Sequence, residues 1–186
     1  MKNQRSNVKM TKKSKLWRYA IAGIVVVAII LAGVAGAYLH NHPMINSNQK
    51  EKVIEAADAY LIQTSNPDEI LEHSAIVKKD NLGLMAVMVK YETEGKTYAE
   101  CIYFEKQAFS FYEVSGAVGV KSGTITASCQ EVREKKILFV RGMGLKEEKE
   151  FTVKEVGYKG KIKGKNFLDL ADTSKDKSGR MSYDVE

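Results

Sequence analysis

The sequence predicts an α+β protein on a membrane anchor: a transmembrane helix, then one exported domain in which an amphipathic helix packs on an antiparallel β-meander. Three observations predict it. Residues 20–39, AIAGIVVVAIILAGVAGAYL, carry no charge. Residues 49–63 place apolar side chains at helical spacing. From Leu82 onward, β-branched and aromatic runs alternate with turn residues, which is the pattern of a strand series.

The charge distribution supports the first element. Among 186 residues there are 29 basic and 23 acidic ones, a formal net charge of +6. Seven of the basic residues (Lys2, Arg5, Lys9, Lys12, Lys13, Lys15 and Arg18) stand in residues 1–19, which hold no acid. The remainder is close to neutral, so the high pI belongs to the tail and gives no reason to expect nucleic acid as a partner. A helix over residues 20–39 is about 30 Å long, the thickness of a bilayer's hydrocarbon layer. Trp17 and Tyr19 at one end and Tyr38 at the other suit the headgroup zones, and the cationic tail predicts a cytoplasmic N-terminus with the rest exported. The alternative is a signal peptide cleaved after Ala37, because Ala35, Gly36 and Ala37 fit an A-x-A site. Lipoprotein processing is excluded here, since Val34 and not Cys follows Leu31, Ala32 and Gly33. Ala28, Ala32 and Gly36, with Gly33 and Ala37, form a small-residue stripe through which two such helices can self-associate.

Residues 40–47 read as a stalk, because Pro43 and the Asn and Ser residues stop the helix. Asn48 and Glu51 have capping-box spacing, and Val53, Ile54, Ala57, Tyr60 and Leu61 follow as one apolar face. Asn66, Pro67, Asp68 and Glu69 predict the start of a second, short helix. Leu84–Thr93 and residues 96–106, parted by Glu94 and Gly95, predict a hairpin. Residues 108–114 add a strand. Residues 124–132 with 136–141, and 150–158 with 159–165, predict two further pairs, and 167–170 a short last strand. Residues 48–171 are therefore the domain, and the polar residues 172–186 are expected to be a disordered tail. The order of helix and then meander is similar to that of cystatin-like and NTF2-like folds, in element order only. A β-sandwich with an added helix is the alternative.

Several residue groups carry candidate chemistry. His40, His42 and Met44 have soft-metal ligand types, but a flexible stalk with so few ligands is expected to hold no metal. Cys101 and Cys129 form either a disulfide of the exported domain or two buried thiols. With His73, either thiol is also the candidate group of a catalytic reading. Residues 115–124, SGAVGVKSGT, resemble a phosphate loop, yet Val120 parts Gly119 from Lys121 and no helix follows, so a glycine-rich β connection is expected. Lys159, Lys161, Lys163 and Lys165 share one face if they lie in a strand. They make either an anion-binding face or the charged guard of an edge strand. Tyr91, Tyr98, Tyr103, Phe104, Phe109, Phe111 and Tyr112 supply core or an aromatic cleft.

No cofactor motif is present. The expected function is non-enzymatic: a membrane-tethered, extracytoplasmic binding or interaction module of a bacterial cell envelope. Its expected partners are the lipid bilayer and either an envelope protein or an anionic polymer. The alternatives are an anchored or secreted enzyme using Cys101, Cys129 or His73, and a structural subunit of a membrane assembly.

Overall fold

The computed structural model describes residues 12–41, 44–146, 148, 150–176 and 178–186. Lys2, Arg5 and Lys9 of the tail, and His42 and Pro43 of the stalk, lie outside the described residues. The chain divides into two units, Met1–Pro43 and Met44–Glu186.

In the first unit a single helix, α1, runs over Lys12–Asn41. Its segment Tyr19–Tyr38 is the one stretch among the described residues long and apolar enough to cross a membrane. All side chains from residue 19 to 38 are exposed. Nothing lies within 4 Å of the place a Cβ would take at Gly33 or Gly36, so both surfaces are smooth.

The second unit is α+β with antiparallel sheets, in layers. Strand β1 is Ile45–Asn46, helix α2 is Lys50–Ser65, and strands β2 (Glu69–Lys79), β3 (Leu84–Thr93), β4 (Lys96–Ala108) and β5 (Phe111–Gly119) follow. They form a five-stranded sheet in the order β1-β5-β4-β3-β2. Strands β6 (Thr126–Val132), β7 (Lys135–Gly142), β10 (Phe167–Asp172) and β11 (Ser182–Tyr183) form a second sheet, ordered β10-β7-β6-β11. Strands β8 (Glu150–Val153) and β9 (Tyr158–Lys161) make a separate hairpin.

Burial explains the layering. Val53, Ala57 and Leu61 of α2 pack with Met85, Val87, Val89, Ile102 and Phe104 on one face of the five-stranded sheet. The alternate residues Leu84, Ala86, Met88, Cys101 and Tyr103 point the other way and meet Ile137, Phe139, Leu168 and Leu170 of the second sheet. Leu138 and Val140, on that sheet's far side, pack with Phe151, Val153 and Ile162. A strand covered on both faces needs no polar alternation, which is why β3 and β7 read as continuous apolar runs. Both predicted architectures are thus partly present: a helix lies on a meander, and that meander faces a second sheet.

Several expectations are corrected. The predicted second helix is strand β2. Asn66 ends α2 in the left-handed conformation (φ 44°) instead of starting a new helix, and the strand takes up irregularity through two register shifts, one around Ala75 at φ 49°. The capping box does not form. The side chain of Asn46 accepts the Asn48 N–H at 3.0 Å, and Gln49 stands at the helix start without a side-chain cap.

Residues 172–186, expected to be disordered, close the outer layer. Ser182 and Tyr183 pair with Ser128 and Ala127. Lys136 Nζ lies 2.8 Å from Asp176 Oδ2, and the Tyr183 hydroxyl donates to the same oxygen at 2.6 Å. The segment is polar in composition, but its few apolar and hydroxyl side chains are placed to bond. Lys136 and Tyr183 together hold the Asp176 carboxyl well below the usual carboxylate range. A depressed carboxylate contributes stability that is complete above its unfolded value, near 3.9 or so, and is lost as pH falls toward the folded value. Below about pH 4, therefore, the C-terminal segment is expected to loosen before the sheets do. The reporter is the Cys129 amide, which donates to Met181 O at 2.9 Å. Its hydrogen-exchange protection should fall ahead of that of Val87, and equal loss at both amides would refute the clamp.

Candidate functional site

Two open clefts meet at Arg141, the penultimate residue of β7. The larger has a volume of about 860 Å³ and the other about 810 Å³, and Gly119, Lys121 and Arg141 border both. β5 supplies Gly119 at its last residue and the connection after it supplies Lys121, while β7 carries Arg141 to the same end of the layered sheets.

Arg141 is only 5% exposed. Its Nε donates to Gly119 O at 2.7 Å, and Nη1 donates to Ser128 Oγ at 2.9 Å and Phe139 O at 3.0 Å. Nη2 has no protein partner among the described residues, and no carboxylate of those residues forms an ion pair with this guanidinium. Burial, the largest influence, lowers its pKa, with the neighbouring Cys101 sulfur acting the other way. An arginine stays charged in proteins, so the net result is a buried cation without a counter-charge. Buried charges are ordinarily paired or bound to a ligand.

The larger cleft brings Lys90, Lys121 and Lys165 around Arg141, against Glu72 and Glu100. Both acids are engaged: Glu72 accepts from Asn166 Nδ2 at 3.0 Å and Glu100 from the Tyr91 hydroxyl at 2.8 Å. Tyr91 and Tyr98 stack at the far side, ring centroids 5.8 Å apart. The second cleft adds Arg180, which reaches Glu155 at 3.3 Å.

Of the residues singled out in the sequence, some gather here and others do not. The glycine-rich segment is a β connection, as expected, and its Lys121 and Ser122 line the larger cleft. The lysine ladder is reduced to Lys159 and Lys161, because β9 ends at Lys161. Ile162 then turns into the core at 1% exposure, and Gly164 takes φ 87°. Lys163 lies beyond the strand, and Lys165 borders the Arg141 cleft instead. Cys101 and Cys129 are free, fully buried thiols in different clusters, one between the sheets and one beyond the second sheet. No disulfide joins them, since their strands put them in different layers. Burial pushes the Cys101 thiol up to about 12, against the pull of Arg141. Tyr103, Phe104 and Tyr112 are core, whereas Phe109 and Phe111 are exposed at the β4–β5 turn.

His73 lies elsewhere. Its Nε2 is 2.6 Å from Asp58 Oδ1 of α2, on the sheet face away from Cys101. Beside it a smaller cavity of about 480 Å³ is lined in part by Ser47 and Ser74, whose hydroxyls are buried without partners among the described residues. Among the described residues there is no group of three or more His, Cys, Asp or Glu able to hold a metal ion.

Sequence reasoning missed Arg141. The available signal was a charged residue directly after the apolar run Ile137, Leu138, Phe139 and Val140, where the strand is covered on both sides.

No family profile matches this chain, and neither a curated protein nor a solved structure is similar to it at a significant level.

Proposed function

We propose that this chain is a membrane-tethered binding module of a bacterial cell envelope, with its second unit outside the cytoplasm and the Arg141 cleft as its binding site for an oxyanion. The observation that carries the reading is the buried guanidinium of Arg141, which borders open space and lacks a counter-charge. A bound carboxylate or phosphate supplies that charge, and the fork geometry of arginine suits either. The helix α2 followed by β2 to β5 is read as a scaffold of cystatin-like or NTF2-like order.

Location and binding are tested separately. Protease added to intact spheroplasts is expected to remove the second unit and leave a membrane-protected fragment with the N-terminal tail. A second unit that resists until the membrane is opened would reverse the orientation, and a mature N-terminus at Tyr38 would show a signal peptide. For binding, inorganic phosphate titrated into the full chain in detergent micelles at low ionic strength should shift the Arg141 side-chain NMR signal. No shift up to the millimolar range would remove the cleft as a site.

A second reading, an anchored envelope enzyme, is favoured by the His73–Asp58 pair beside the two orphan hydroxyls of Ser47 and Ser74. A nucleophilic serine there should react with a fluorophosphonate probe, and His73→Asn should abolish the labelling. The complete burial of Cys101 and Cys129 weighs against either thiol as nucleophile.

A further inference from the structure

We infer that the ligand of this site is a linear polyanion whose charge lies within the chain, threaded from one cleft to the other across Arg141. The inference rests on the reading of the Arg141 cleft as a binding site and names the class of ligand. Each cleft alone has the size that encloses a compact small molecule, roughly 300–1,000 Å³. A compact ligand with a terminal anion fills one cleft and leaves the guanidinium open on its other side. Here the same three residues, Gly119, Lys121 and Arg141, border both clefts, so an anion held at Arg141 has open space in two directions. Each direction leads to a further basic residue, Lys165 in the larger cleft and Arg180, ion-paired with Glu155, in the second. Charge in mid-chain with further charges on both sides describes a phosphodiester-linked polyol or a polyuronate. Tyr98, 44% exposed where it lines the larger cleft, offers a ring face to a sugar or polyol unit at one end. In the second cleft Arg180 is paired with Glu155 and Asp184 is a further acid, so the attraction there rests on Lys121 and Arg141, which the two clefts share.

The test compares ligands of one chemistry that differ in where the charge sits. By calorimetry on the full chain in detergent micelles at low salt, sn-glycerol 3-phosphate, with a terminal phosphate, is set against a glycerol-phosphate tetramer linked by phosphodiesters. Galacturonic acid is set against its hexamer in the same way. The expected result is at least about tenfold tighter binding of the oligomer in one of the two series, by the effective concentration that linked contacts provide. The series that responds identifies phosphate or carboxylate as the anion. Lys165→Gln and Arg180→Gln alter exposed side chains, one in each cleft. Each should weaken the oligomer several-fold more than it weakens the monomer, with thermal unfolding unaltered. Equal affinity for monomer and oligomer, with both dependent on the cleft, overturns the threaded polymer and leaves the oxyanion site standing. An effect of Lys165→Gln without one of Arg180→Gln confines the ligand to one cleft and overturns it as well. A poly-glutamate peptide that outcompetes both oligomers also overturns it, in favour of an acidic protein segment. Absence of binding by every probe removes the binding reading itself.

Discussion

Phe139→Ala is expected to destabilise the second unit by about 3–5 kcal/mol, the range for a buried aromatic replaced by alanine. Phe139 is fully buried on β7, where its ring lies 5.1 Å from that of Tyr103 on β4 and joins the two sheets. The space it leaves is framed by strands hydrogen-bonded to neighbours on both sides, β6 and β10, so the walls cannot close on it. For a domain of ordinary stability, about 5–15 kcal/mol, that loss is roughly a fifth or more of the total. Urea denaturation followed by Trp-independent far-UV dichroism should show a lower midpoint with an unchanged slope. A loss under about 1 kcal/mol, far below that range, would mean that the sheets do not pack through this side chain.

Leu61→Ala is expected to cost about 2–5 kcal/mol, and its neighbour supplies the control. Val53, Ala57 and Leu61 stand four residues apart, each at most 1% exposed, and form the seam by which α2 holds the sheet. Ile62, one residue on, is 55% exposed. Ile62→Ala should therefore change stability by less than about 0.5 kcal/mol, as surface substitutions do. Alanine raises helix propensity at both positions by no more than about 0.7 kcal/mol, so a larger difference between the two variants measures burial. An isolated helix of this length is marginal in water, and loss of docking should appear as loss of helix signal. Equal effects at 61 and 62 would show that the helix is not held by this face.

The parts of the fold that sequence reveals are those with local causes. Strand β3 begins where the apolar run does and ends at the turn, where Glu94 and Gly95 both take positive φ, 50° and 70°, as a two-residue hairpin turn requires. Strand β2 was hidden because Asn66 and Pro67 suit a helix start as well as they suit a helix end followed by a strand, and only pairing with β3 decides between them. The C-terminal segment was hidden by its composition. Its order comes from Thr173, Asp176 and Tyr183, which meet Lys136 and Cys129, 37 to 54 residues away in the chain, distances that no window spans. Lys121 was in view as part of a rejected phosphate loop. Its partner Arg141 was not, because a lone arginine in a strand is ordinarily read as a residue facing solvent. Here the strand has a layer on each side, and the arginine's apolar stem is buried with it.

Strand β1 gives the entry to the second unit a mechanical character. It has two residues, Ile45 paired with Tyr112 and Asn46 with Phe111, and it holds the edge of the five-stranded sheet through that pairing and the burial of Ile45. A load pulled along the chain before Met44 reaches these few hydrogen bonds first. They yield by peeling, and residues 44–49 then pay out roughly 20 Å of slack at about 3.5 Å per residue. Only after that does force arrive at α2, which Val53, Ala57 and Leu61 anchor in the core. On the proposed reading of a membrane tether, the short strand is the link that yields first under load, while the core that holds α2 keeps its shape.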